Sequence, residues 1–259
     1  MTTYWRCDLS RPLAELFTYD LGAGGWGNNE AQEYTDSPEN AFVRLDGDGD
    51  GEGVLVVRAC ARPDGKVTSA RLISRQTLER PRGYVSARIV VPLAPGIWPA
   101  FWALPKKPFS WPYDGEVDIV ETWNALEHNG TSFHNGHYDG KDWDKHRVLK
   151  TPTANMDRKP GHWYGFAWEG DSEGARLLWF TDGCPTMRAT VPAGTRSMRD
   201  FQVIMNIAVG GNVQPGKLPP FPSEHDLEIQ DLAMTDEPPG GWGKPFDDAW
   251  AAAKDGNTM

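Results

Sequence analysis

The apolar positions of this chain fall in short runs of two kinds. Residues 201–209 (Phe-Gln-Val-Ile-Met-Asn-Ile-Ala-Val) are apolar almost throughout, as in a strand covered on both faces, whereas 227–233 (Leu-Glu-Ile-Gln-Asp-Leu-Ala) alternates with period two. Further strands are predicted at 41–45, 54–58, 67–73, 83–91, 96–105 and 130–136. Residues 162–168 and 175–183 form a hairpin-like pair, the second ending in an Asp-Gly turn, and 227–233 closes the sheet. Gly and Pro (28 and 21) punctuate these runs, and the polar segment 137–157 reads as loop. A helix is expected only near the end, where Asp247 would cap Asp-Ala-Trp-Ala-Ala-Ala-Lys and Gly256 follow it. The pattern predicts an all-β sandwich or jelly roll.

One run, Trp111-Pro-Tyr-Asp-Gly-Glu-Val-Asp-Ile-Val-Glu-Thr-Trp123, stands apart because acids interrupt it. Val117, Ile119 and Val120 are β-branched, which favours a strand. Alternation puts Glu116 and Asp118 on one face and Glu121 on the other; a β-bulge between 118 and 121 would return Glu121 to its partners. Three carboxylates on one wall raise one another's pKa and resist burial. Such a face is either a solvated acidic strand or the arrangement a glycosidase needs, one carboxylate to attack the sugar and one carboxylic acid to protonate the leaving oxygen. The residues alone do not say which glutamate attacks and which holds the proton.

Composition narrows the partners. The 259 residues suffice for one large β domain or two smaller ones, and no stretch resembles a linker. A net charge of −10 argues against nucleic acid and disfavours sulfated or uronic polysaccharides. Twelve tryptophans exceed the needs of one core and suit the apolar faces of neutral sugar rings. Three cysteines (Cys7, Cys60, Cys184) match no zinc or redox spacing and leave one thiol unpaired, so a disulfide framework is not expected. No apolar h-region opens the chain and no run approaches transmembrane length. The expectation is an intracellular chain or one whose signal peptide has been removed, without a membrane partner.

Several residues carry two readings. The glycine-rich loop within 17–35 lacks the P-loop lysine and a following helix, so Trp26 either edges a cleft or anchors the core. Asp46, Asp48, Asp50 and Gly51 begin like an EF-hand loop, but its twelfth position is Val57, which leaves a hairpin turn. Arg71 could bond sugar hydroxyls, hold a carboxylate or make a cross-strand ion pair. Trp98 and Trp102 share a strand face, in the core or on a cleft wall. His134 is either structural or placed to bond a substrate hydroxyl or orient an acid.

Taken in order, the blocks Gly25-Trp-Gly-Asn-Asn-Glu-Ala-Gln-Glu-Tyr-Thr35, Thr68-Ser-Ala-Arg71, Gly96-Ile-Trp-Pro-Ala-Phe-Trp102, Gly115-Glu-Val-Asp-Ile-Val-Glu121, Ser132-Phe-His134, residues 162–168 and Asn206-Ile-Ala-Val-Gly-Gly-Asn212 resemble glycoside hydrolase family 16, on its laminarinase-like, endo-β-1,3-glucanase side. The resemblance spans residues 17 to about 234. It implies a β-jelly roll of two bent antiparallel sheets with a concave substrate cleft. It implies Glu116 as nucleophile, Glu121 as general acid and then base, and Asp118 between them to tune the pair. Trp26, Asn28, Arg71, Trp98, Trp102, Trp111, Trp123 and His134 would line the sugar subsites.

The resemblance further implies a single catalytic domain over residues 1–234, with 235–259 a tail whose short helix packs on it. A monomer acting on neutral β-glucan without a required cofactor is expected. Glu228 stands where some members carry an Asp that holds a structural calcium; the amino-terminal half of that site is not recognisable, so calcium stays open without being expected. Asn212 is followed by Val213-Gln-Pro-Gly216 where the family often has Trp-Pro-Gly, which removes one aromatic wall. Mixed β-1,3-1,4-glucan and galactans remain open as substrates, and a non-catalytic glucan-binding lectin or a transglycosylase remain open as activities.

Overall fold

The computed structural model describes residues 1–45, 53–137 and 140–259. In chain order the first strands are β1 (Thr3–Arg6), β2 (Phe17–Tyr19), β3 (Glu33–Tyr34), β4 (Ala41–Leu45), β5 (Gly53–Ala61) and β6 (Val67–Ser69), with helix α1 (Leu13–Leu16) before β2. The middle of the chain supplies β7 (Arg71–Thr77), β8 (Arg82–Val90), β9 (Ile97–Pro105), β10 (Glu116–Glu121), β11 (His128–His134) and β12 (Arg147–Pro152). The remainder forms β13 (His162–Glu169), β14 (Arg176–Thr181), β15 (Cys184–Thr190), β16 (Phe201–Val209), β17 (Ser223–Thr235), helix α2 (Lys244–Ala252) and β18 (Lys254–Asp255).

Among the described residues these strands form two sheets, as expected for a jelly roll. One runs β18-β15-β14-β13-β8-β17-β5-β6-β3, with β1 on β17 and β4 on β5; the other runs β12-β11-β10-β9-β16-β7-β2. Their facing sides bury one continuous core. Phe101, Val117, Ile119 and Val120 come from the seven-stranded sheet, and Phe166, Trp168, Trp179, Leu227 and Ile229 from the other. The opposite face of the seven-stranded sheet is left to carry a cleft.

The structure departs from the sequence expectations at four places. The run 67–73 is two strands: the chain leaves one sheet at the fully buried Ala70 and enters the other at Arg71, which is how Arg71 reaches the cleft. Within the supposed loop 137–157, β12 pairs with β11 as an edge strand, wet enough on both faces to be polar. Strand β17 does not close its sheet but lies inside it, between β5 and β8. Helix α2 begins at Lys244 after Gly243, with Pro245 in its first turn, so Asp247 lies in that turn and does not cap it; its carboxylate is 2.9 Å from Arg176 Nη2. Residues 46–52, read as a turn, lie outside the described residues, while the flanking β4 and β5 pair antiparallel from Leu45–Gly53 onward.

Candidate active site

Strand β10 carries the acids, and one irregularity decides where they point. Against β11, Glu116 pairs with His134, Val117 with Phe133 and Asp118 with Ser132, but the next pair is Glu121 with Gly130. Regular pairing would place residue 120 there, so β10 holds one extra residue. The register against β9 breaks in the same place, between Asp118–Trp102 and Val120–Phe101. Val117, Ile119 and Val120 therefore all enter the core, while Glu116, Asp118 and Glu121 share one cleft.

Two neighbours hold this geometry. Asn129 on β11, 1% exposed, donates from Nδ2 to the Ile119 carbonyl at 3.0 Å and accepts at Oδ1 from the Glu121 backbone N–H at 3.2 Å. The bulge's displaced backbone groups are satisfied by that one side chain. From the opposite sheet, Trp179 Nε1 donates to the Asp118 carbonyl at 2.8 Å. Gly115, just before β10, has φ +100°, and a Cβ there would stand 3.0 Å from Thr195 Cγ2.

Indoles meet the two outer carboxylates. Trp111 Nε1 donates to Glu116 Oε2 at 2.8 Å, and Trp98 Nε1 donates to Glu121 Oε1 at 2.8 Å. Burial, the largest effect, pushes the Glu116 carboxyl up to about 7, against the opposing pull of Trp111 and Arg71. Burial followed by the charge of Glu116 pushes Glu121 up to about 8, with Trp98 holding it down and Glu30 adding to the rise. Asp118, 3% exposed, is raised well above its ordinary value by burial and then by both glutamates. Desolvation, rather than a negative Asp118, thus keeps the proton on Glu121.

The cleft, about 340 Å³, brings Trp26, Asn28, Arg71, Trp98, Trp102 and Trp111 together with the three acids. Trp26 has φ 49° between Gly25 and Gly27, and its ring meets Tyr34 edge-on at 5.2 Å. The Arg71 guanidinium lies over the rings of Trp102 and Trp26, at 4.7 and 5.3 Å. Two predicted residues are absent from the wall. Trp123 stands edge-on to His128 at 5.0 Å, with Lys150 Nζ 4.7 Å above it. His134 sits behind Asp118, its Nε2 3.5 Å from Oδ2 and its Nδ1 3.1 Å from His146 Nδ1, and burial pushes its pKa down to about 3.

Sequence reasoning missed Glu30 and Asn206, which also line the cleft. Asn206 accepts from Trp102 Nε1 at 2.7 Å and donates to Tyr34 Oη at 2.9 Å; Glu30 accepts from Gln32 Nε2 at 2.6 Å and from Asn28 Nδ2 at 3.3 Å. Both lie inside recognised blocks, and an amide in the middle of the mostly apolar β16 is the available signal for Asn206. Glu116, Asp118 and His134 present ligand atoms within 4.8 Å of one another, the one such group among the described residues with metal-binding spacing. Glu228 faces cations instead, its Oε2 2.6 Å from Arg44 Nη2 and 3.6 Å from Lys159 Nζ.

A jelly roll that carries paired glutamates on the floor of a tryptophan-walled cleft is a glycoside hydrolase. Residues 40–160 match the model of the XgeA-like catalytic GH16 domain. Over 218 residues the chain is 34% identical to the beta-glucanase of Rhodothermus marinus, covering 77% of this chain and 71% of that protein. It is 30% identical to the glucan endo-1,3-beta-glucosidase of Cryptopygus antarcticus over 241 residues, 83% of this chain and 82% of that one. The crystal structure of endo-1,3-beta-glucanase from Streptomyces sioyaensis superposes with a TM-score of 0.75 at 26% identity, covering 90% of this chain and 95% of that chain. The chain belongs to glycoside hydrolase family 16.

Proposed function

We propose that this protein is an endo-acting β-1,3-glucanase that cleaves with net retention, mixed-linkage glucan being a secondary substrate. The observation that carries the mechanism is the β10 bulge, which turns Glu116 and Glu121 to one face with a separate indole donor on each. The beta-glucanase and glucan endo-1,3-beta-glucosidase relatives support the substrate. A buried glutamate with its pKa near the working pH can both give and take a proton.

In the first step the Glu116 carboxylate attacks the anomeric carbon while Glu121 protonates the departing glycosidic oxygen, leaving a glycosyl ester on Glu116. Esterification removes the Glu116 charge that raises the Glu121 pKa, so Glu121 becomes the base that deprotonates water for the second step. Asp118, with its pKa well up, holds a proton and spares the trio a third charge. The chain acts as a monomer. Residues 1–234 form the catalytic domain and 235–259 dock on it, supported by Phe246 of α2 packing with Tyr84 and Phe180.

Product analysis on laminarin, mixed-linkage glucan, agarose and carrageenan tests the reading, with NMR of the first-formed anomer. Laminarin is expected to give internal cuts and β-anomers. Glu116→Gln should abolish turnover while leaving a folded protein that binds laminarin. Saturable binding without new reducing ends from the unaltered chain would instead identify a lectin, and products longer than the starting oligosaccharide a transglycosylase.

A further inference from the structure

A second hollow of about 420 Å³ continues the cleft and shares Arg71, Leu104 and Phe109 with it. It lies across the same sheet, over β9, β16, β7 and β2, and so leads away from the acids on β10. From β10 to β2 there are four strand spacings, about 19 Å, or roughly three to four sugar residues of a chain laid across the sheet.

The charge of this hollow is opposite to that of the molecule. The whole chain carries −10, yet the hollow is lined by Arg71, Arg75, Lys106 and Lys107 against a single carboxylate, Asp20. Asp20 is already shared, its Oδ1 2.7 Å from Lys107 Nζ and its Oδ2 3.4 Å from Arg71 Nε. Arg75 spends only its Nε–H, on the Ala14 carbonyl at 2.9 Å, and has no ion pair among the described residues. The Lys106 ammonium has neither a hydrogen bond nor an ion pair among the described residues; only its backbone N–H is engaged, by the Asp200 carbonyl at 2.8 Å. Cations gathered without matching acids at the end of a binding groove hold a favourable potential for an anion. Arginine adds a planar fork that fits an oxyanion.

We propose that this hollow is a distal subsite for a β-glucan chain bearing anionic substituents, with Arg75 and Lys106 meeting the anion several sugars from the cleaved bond. The proposal rests on the glucanase reading for the chain that fills the groove. It reverses, locally, the exclusion of acidic polysaccharides that the net charge suggests. The shared chemistry is an oxyanion on a sugar, either a carboxylate at C6 or a sulfate ester.

The test compares neutral laminari-oligosaccharides with the same oligosaccharides sparsely oxidised to 6-carboxylates, and separately with sparsely sulfated ones. At low salt the oxidised or the sulfated substrate should be cut with kcat/KM about fivefold above neutral, as two partly exposed ion pairs would give. Mass spectrometry should find the acid group at a fixed number of sugars from the new end. The preference should collapse near 1 M salt, where the screening length is ~3 Å. Lys106→Glu, which breaks no side-chain hydrogen bond or ion pair among the described residues, should turn the preference below unity, and Arg75→Gln with Lys106→Gln should bring the acidic-to-neutral ratio to one. Acidic substrates cut no better than neutral ones, or a preference that persists in Lys106→Glu, would overturn the subsite while leaving the glucanase reading intact. Cleavage of neutral laminarin reports on that reading alone. Should it fail, calorimetric binding of the acidic and neutral oligosaccharides to the unaltered protein and to Lys106→Glu still decides the subsite.

Discussion

Replacing Asn129 with Ala removes both bonds that hold the β10 bulge open. One is the donor to the Ile119 carbonyl at 3.0 Å and the other the acceptor for the Glu121 N–H at 3.2 Å. At 1% exposure the site is closed to bulk solvent, so a carbonyl and an N–H are left buried without partners. Each such group costs about 1–3 kcal/mol, which puts the loss of stability at about 2–6 kcal/mol. The larger effect should fall on catalysis. A bulge without its clamp relaxes toward regular register, which rotates Glu121 away from Glu116; a ~1 Å displacement of a reacting group costs about 10²-fold. The measurements are urea unfolding and steady-state kinetics on laminarin well below the unfolding midpoint. We expect kcat to fall about 100-fold with KM little changed, because the tryptophan walls stay in place. Asn129→Asp keeps the acceptor and should lose less kcat than Ala. If Asn129→Ala folds and turns over laminarin like the unaltered protein, the bulge is held by the sheet alone and the clamp reasoning is wrong.

Three further outcomes follow from the same geometry. Trp98→Phe deletes the donor that stabilises the charged form of Glu121, so the basic limb of the kcat/KM–pH profile should move up by about one unit, and a downward move would contradict it. Because the folded Glu121 pKa is raised from 4.5 to about 8, the stability it lends is full below 4.5 and lost as pH rises through about 8. Glu121→Gln should therefore gain on the unaltered chain between pH 5 and 9, on the order of 4 kcal/mol in urea midpoints converted to free energy. Phe246→Ala removes a ring that is 1% exposed beneath Trp242 and Trp250; we expect a loss of about 3–5 kcal/mol and proteolytic release of the 235–259 tail before the sheets unfold.

The elements legible in the sequence were those whose own residues carry the signal. Val117, Ile119 and Val120 marked a strand, and the spacing of its acids required the bulge that the pairing with β11 shows. Strand β12 was hidden because an edge strand needs no apolar run; its pairing with β11 makes it a strand. The break at Ala70 was hidden because the residues on both sides have strand character and only the sheet they join differs. Trp123 is the residue whose direction its position beside the acids does not fix: it lies beyond the end of β10, where alternation ends, and its ring meets Lys150 and His128 outside the cleft lining. Asn129 could not be picked out, since its role exists only once the register of two strands is known.

The indoles on the two glutamates have a consequence for the traffic of protons. An indole N–H gives a hydrogen bond and accepts none, so neither Trp98 nor Trp111 can relay a proton to or from the carboxylate it touches. Beneath them β10 turns Val117, Ile119 and Val120 into a sealed apolar core. Protons can therefore reach the pair from the mouth of the cleft, or by way of Asp118 from His134 and His146 behind it, and not through the indole walls.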